Sequence, residues 1–181
     1  LAWKTTEFSC KRVIGMGGIL DAARLRTFLS WELNVSPEDV ETIVLGGHGD
    51  QMVPLPRFTT VKGIAITEFL KKKTIDSLVH RTRNGGAEIV SLLKSGSAYY
   101  APAAAVVQMI KSILLDEKRM FPCAAYLNGE YGMKDVYLGV PVILGREGVE
   151  RVFEIKLTKE ERAQLKESCS AVKKLLKKLS I

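Results

Sequence analysis

No apolar run in this chain approaches the roughly 18 residues that a membrane-spanning helix needs, so no such span is expected. Cysteine is scarce too. Cys10, Cys123 and Cys169 show no metal-ligand spacing and leave one thiol over in any pairing, so reduced, intracellular thiols and no bound metal are expected. Histidine occurs only at His48 and His80, which narrows any search for a proton-carrying imidazole. There is no internal repeat, no initiator methionine and no signal-peptide pattern at the start. The opening residues read as the middle of a longer protein, and a cytoplasmic location is the expectation.

What is present suits one good core. The chain has 181 residues, 46% of them hydrophobic and 26% charged, an ordinary globular balance. The net charge of +7 invites a nucleic-acid reading. Much of the excess, however, lies in Lys71-Lys72-Lys73, in Arg81 and Arg83, and in Lys173, Lys174, Lys177 and Lys178. The last four fall on the outer side of an amphipathic helix, which makes a solvated face the simpler reading.

Periodicity predicts the elements. Residues 9–18 link into a first helix over 21–33, with Asp21 able to cap it and Leu25, Phe28 and Leu29 as its apolar stripe. Residues 40–45 read as a buried strand. Pro54 and Pro56 keep 52–61 extended, and 63–66 adds a second extended piece, so a small antiparallel ribbon is expected. A helix follows from Thr67, burying Phe69, Leu70, Ile75, Leu78 and Val79 and running through Gly85-Gly86. Two such glycines cost about 1 kcal/mol each against Ala, and mark a kink or a close approach of backbone or ligand. The helix over 102–115 shows little polar surface and is expected to be central. Strands are predicted over 120–127, 136–144 and 149–155. Thr158 and Glu161 form a capping box ahead of a last helix whose face carries Leu165, Val172, Leu176 and Leu179. The fold class is therefore α+β, a twisted antiparallel sheet packed against long helices.

Two stretches carry chemistry. Val44-Leu45-Gly46-Gly47-His48-Gly49-Asp50 ends an apolar run in glycines that permit tight turning and close approach, with one imidazole between them. The residues alone leave His48 either a proton carrier or a structural histidine in a turn. Gly15-Met16-Gly17-Gly18 precedes Asp21 and Arg24, which share one helix face. Those glycines are wrongly spaced for a dinucleotide loop. No acidic residue follows at a strand end, since Glu38, Asp39 and Glu41 surround a strand's start. Either Asp21 or Asp50 is available to orient His48.

The Asp21-x-x-Arg24 helix start followed by Gly-Gly-His-Gly-Asp resembles the lactate/malate dehydrogenase family, closest to malate dehydrogenases of the lactate-dehydrogenase type, over residues 4–179. The resemblance implies that residues 1–181 are the C-terminal catalytic and substrate-binding domain. Residues 1–14 would link it to a nicotinamide-binding Rossmann half, absent here and lying before residue 1. The implied cofactor is NAD, and the implied partner a small 2-hydroxy or 2-oxo dicarboxylic acid. No nucleic acid or membrane partner is implied.

The resemblance also assigns roles. His48 takes and returns the substrate hydroxyl proton and faces the cofactor. Asp21, rather than Asp50, orients it; pure N-capping is the bland alternative for Asp21. Arg24 grips the substrate carboxylate with two parallel hydrogen bonds, a geometry that Lys does not supply. Its own bland alternative is a surface salt bridge. Ser97-Ala98-Tyr99-Tyr100-Ala101-Pro102 lines the pocket, with Ala98 leaving room for a bulkier acid where lactate enzymes carry Thr, and Pro102 packing near the nicotinamide. Arg26 points elsewhere, and His80 matches no family motif and reads as a helix-surface residue. Malate is favoured over lactate or another 2-hydroxy acid. A second arginine and an asparagine belong to the absent half, so this chain alone is expected to be inactive, and a non-catalytic fragment is the contrasting reading. Family members are homo-oligomers, dimers or tetramers.

Overall fold

A single helical turn, α1 (Ala2–Thr5), leads towards α2 (Gly17–Leu33) in the computed structural model, which describes residues 2–178. Leu25, Phe28 and Leu29 are buried at helical spacing, as the stripe required. Asn34 closes the helix in the left-handed conformation, which Asn tolerates. The helix begins one turn earlier than expected, because Met16 O accepts from the N–H groups of Ile19 and Leu20. Asp21 therefore lies inside the helix, is 1% exposed, and does not cap it.

The strand expected over 40–45 is divided into β1 (Val40–Glu41) and β2 (Val44–Gly46). Between them the buried Thr42 hydroxyl donates to Ala22 O at 2.9 Å, and the chain changes sheet there. Strand β2 pairs with β3 (Met52–Pro54), while β1 pairs with β4 (Thr60–Val61), itself paired with β5 (Ile64–Ala65). The small antiparallel ribbon is thus present and carries β1 as a third strand.

Helix α3 (Lys72–Leu93) starts later than Thr67, since Ile66–Glu68 forms a separate 3-10 turn. Ile75 and Leu78 are buried and Leu70 and Val79 partly so, but Phe69 falls before the helix and stays exposed. Gly85 and Gly86 sit within the helix without interrupting it.

Helix α4 (Tyr100–Leu114) corrects a second expectation. It is not central: Ala105, Met109 and Ser112 face inward, while Val107 and Leu114 are 61% and 71% exposed. Apolar residues surround this helix, and only one line of them meets the sheet.

The main sheet is built on β7 (Lys134–Gly145). One edge of it pairs along its length with β6 (Arg119–Asn128). The other edge takes β2 through Gly46 and Gly139, and then β8 (Gly148–Val152) across the two-residue turn Arg146-Glu147. All of these pairs are antiparallel. Helix α5 (Lys159–Lys178) opens on the expected capping box: Thr158 N–H donates to Glu161 Oε2 at 2.8 Å, and Glu161 N–H to Thr158 Oγ1 at 3.2 Å. Leu165 is buried and Val172 and Leu176 partly so; Leu179 lies outside the described residues.

Two cores result. The first packs β6, β7 and β8 under α4 and α5; the second packs α2 and α3 against β1, β3 and β4. Strand β2 runs between them. Val44 is buried in the second core and Leu45 in the first, as side-chain alternation along a strand dictates. Met52 and Val53 of β3 divide in the same way. No helix among the described residues is long and apolar enough to cross a membrane.

Candidate active site

The turn between β2 and β3 leaves the boundary of the two cores and carries His48. Gly46 and Gly49 on either side have φ of 85° and 69°, a backbone region that glycine enters without strain. The imidazole lies against the first turn of α2. A Cβ on Gly17 would come within 3.1 Å of His48 Cβ and 3.4 Å of Nδ1. Gly15 pairs with Ala124 of β6 through two 2.9 Å backbone hydrogen bonds, and a Cβ on Gly18 would collide with the Pro122 carbonyl oxygen. The glycines ahead of α2 therefore bring that helix onto the sheet and under the histidine.

His48 Nδ1 lies 3.0 Å from Asp21 Oδ2. A buried carboxylate accepts there, which places the proton on Nδ1 and leaves Nε2 as the open nitrogen of the neutral ring. The side chain of His48 is 52% exposed, so one side of the ring is anchored and the other is accessible. Its pKa is raised above the ordinary 6.5. The hydrogen bond to Asp21 is the largest cause and the Asp21 charge adds to it, against burial and the nearby Arg24 charge. Asp50 lies exposed on the 3-10 turn after His48, and Nδ1 is given to Asp21.

Arg24, one turn along α2, is almost buried and holds Nη1 3.6 Å from Asp21 Oδ1. Its side chain runs over Gly85 and Gly86 of α3. A Cβ on Gly85 would sit 3.2 Å from Arg24 Cδ, and one on Gly86 3.6 Å from Nη2. The glycine pair is thus a close approach and not a kink. Arg24 Nε and Asp21 Oδ1 are buried without a hydrogen-bond partner, as are Arg26 Nε and Arg83 Nε; a planar guanidinium such as that of Arg24 is suited in kind to a carboxylate ligand. Arg26 points away from the pair and lies 3.5 Å from Glu41.

Among the described residues, the other candidates share no hydrogen bond or ion pair with this cluster. Ala98 and Pro102, both partly buried, flank the start of α4; Tyr99 and Tyr100 beside them are exposed rather than core. His80 is on the exposed face of α3, where Asn84 Nδ2 donates to its carbonyl. No group of three or more His, Cys, Asp or Glu among the described residues is arranged to hold a metal. Cys10, Cys123 and Cys169 are free, and burial pushes the Cys123 thiol up to about 12, which keeps it protonated and unreactive.

Residues 19–180 match the sequence pattern of the lactate/malate dehydrogenase alpha/beta C-terminal domain. The chain belongs to the lactate/malate dehydrogenase family. A malate dehydrogenase of Roseiflexus sp. (strain RS-1) is 57% identical over 172 residues, which are 95% of this chain and 56% of that protein. A malate dehydrogenase from Salinibacter ruber superposes with a TM-score of 0.97 at 49% identity, covering 99% of this chain and 58% of that one. A lactate dehydrogenase from Eimeria maxima, solved with NADH and oxamate, gives 0.92 at 41% identity over 95% of this chain and 55% of that one. This chain spans little more than half the length of the lactate/malate dehydrogenases it matches.

One contributor escaped sequence reasoning in this family domain. Ser168 of α5 reaches the His48 turn from 121 positions away from Gly47. Nothing in the pattern around Ser168 marks it, beyond its place on the buried side of an amphipathic helix.

Proposed function

We propose that this chain, residues 1–181 with 1–14 as a link, is the substrate-side domain of an NAD-dependent malate dehydrogenase that interconverts (S)-malate and oxaloacetate. The reading is carried by one observation: an accessible imidazole held at 3.0 Å by a buried carboxylate, with an arginine one helical turn away. The malate dehydrogenases it resembles at 57% and 49% identity support the substrate.

His48 Nε2 accepts the hydroxyl proton as malate is oxidised and returns it as oxaloacetate is reduced. Asp21 fixes ring orientation and tautomer and stabilises the imidazolium. Arg24 holds the carboxylate next to the reacting carbon through parallel hydrogen bonds, which sets that carbon against His48. A bound nicotinamide supplies the hydride acceptor or donor. The family resemblance assigns its ring end to Ala98 and Pro102, partly buried at the start of α4, whereas the glycines at 15, 17 and 18 are filled by β6 and His48 and leave no phosphate cradle. The rest of the dinucleotide then belongs to a Rossmann half, and the uncovered apolar side of α4 supports packing against further protein, either that half or another subunit of a dimer or tetramer. Three free thiols support the cytoplasmic location.

Oxidation of NADH by the full-length protein, with oxaloacetate and pyruvate compared, tests this. Preference for oxaloacetate is expected. Preference for pyruvate would move the reading to a lactate dehydrogenase, which the Eimeria maxima likeness supports as second choice. Activity with neither would sink both. The 181-residue chain alone is expected to be inactive in the same assay.

A further inference from the structure

The turn that carries His48 is held from outside its own sheet. Ser168 Oγ accepts from Gly47 N–H at 2.8 Å and donates to Gln51 O at 2.7 Å. These two backbone groups lie on opposite arms of the turn, one just before His48 and one after it. Ser168 is 2% exposed and projects from α5, which packs on β2 and β3. The two glycines ahead of His48 are shaped around this contact. A Cβ on Gly46 would fall 2.8 Å from Ser168 Oγ and 2.7 Å from Gln51 O, and one on Gly47 would fall 2.9 Å from Gln51 Cβ. A single hydroxyl thus closes the neck of the loop, and any larger residue at either glycine would push it open.

We propose that Ser168 is a positioning residue: by bridging Gly47 N–H and Gln51 O it fixes the His48 turn so that the imidazole meets Asp21. It touches no reacting atom and has no contact with Arg24, so it acts on proton transfer and not on the grip on the carboxylate. This rests on the dehydrogenase reading for its kinetic consequence, but not for its structural one.

Three variants in the full-length protein test it, read by steady-state kinetics, thermal melting and NMR titration of His48. Ser168→Ala removes both hydrogen bonds. Ser168→Cys keeps nearly the same volume and weakens both, so it reports on the bridge even where the alanine variant does not fold. Cys169→Ala is the control, since Cys169 is buried on the same helix but belongs to the sheet-side core. The expected result for Ser168→Ala is a roughly tenfold lower kcat with KM for oxaloacetate nearly unchanged. The His48 titration should also move down from its raised position, as the bond to Asp21 loosens against the opposing effects of burial and Arg24. Ser168→Cys should show smaller shifts of the same sign, and Cys169→Ala a lower melting temperature with neither shift.

If both serine variants melt lower but keep the kcat and His48 titration of the parent, Ser168 is a packing residue and the proposal is overturned. If the parent has no dehydrogenase activity but the serine variants still displace the His48 titration, the bridge stands and the functional reading falls.

Discussion

Helices α2 and α4 are both rich in apolar residues, and they end in opposite situations. On α2, Leu25 and Leu29 are fully enclosed between two layers, and the same helix offers Asp21 and Arg24 to His48. On α4, Ala105 and Met109 are enclosed while Val106, Val107, Ile110 and Leu114 face outward. Apolar content states how much surface a helix needs covered; only the neighbours decide how much is. Residues on α2 are therefore expected to be costly to change within this chain, whereas those on the outer side of α4 become costly only when other protein covers them.

Four substitutions sharpen or break that contrast. Arg24→Leu is expected to do most, leaving a substrate carboxylate desolvated and unpaired at a cost of about 3–5 kcal/mol, seen as a roughly 100- to 5,000-fold fall in kcat/KM of the full-length protein. Leu29→Ala should cost about 2–5 kcal/mol of stability, measured as the change in unfolding free energy in denaturant. Asp21→Asn should lower kcat about 100-fold and shift the pH profile. Oxaloacetate reduction needs protonated His48, so its rate falls as pH rises through the raised pKa. Without the Asp21 charge that fall should come at lower pH. The smallest effect is expected of Val107→Ala, within about 0.5 kcal/mol in the 181-residue chain. A loss as large as that of Leu29→Ala would mean that the outer side of α4 is already covered.

The same Asp21–His48 pair links pH to stability. Its folded-state pKa stands above 6.5, so the pair's stabilisation is fully present below pH 6.5 and is lost as pH rises through the raised value. Melting of His48→Asn and parent chains should therefore converge on the alkaline side of that window.

Much of the framework was legible because it is local. The β6–β7–β8 meander follows from alternating strands and tight turns, and α5 from its capping box. The parts that were not legible depend on contacts made across the chain. Thr42 breaks the strand over 40–45 because its hydroxyl finds Ala22 O, which no local pattern announces. The start of α2 moves forward because Gly17 and Gly18 let it press against His48 and Pro122, and so what looked like a cap on Asp21 became a buried carboxylate. From residues alone Asp50 is the rival by sequence proximity, and the family resemblance, not the spacing, favours Asp21. The exposure of α4 was hidden because a helix apolar on every side gives no direction. Ser168 was invisible because hydroxyls on amphipathic helices are common and its two acquaintances are backbone groups.

Strand β2 has a consequence for how this gene segment tolerates changes in length. Because Val44 and Leu45 project into different cores, a one-residue deletion or insertion between Thr42 and Leu45 would exchange the two sides and send each side chain into a space shaped for the other. It would also turn His48 half a revolution about the strand, away from α2. The loop over 129–132 is pinned in a different way, by one buried side chain: Tyr131 is 3% exposed, its N–H donates to Glu154 Oε2 and its hydroxyl to Phe153 O, both at 2.7 Å. Related genes should accordingly keep the count from Thr42 to His48 invariant.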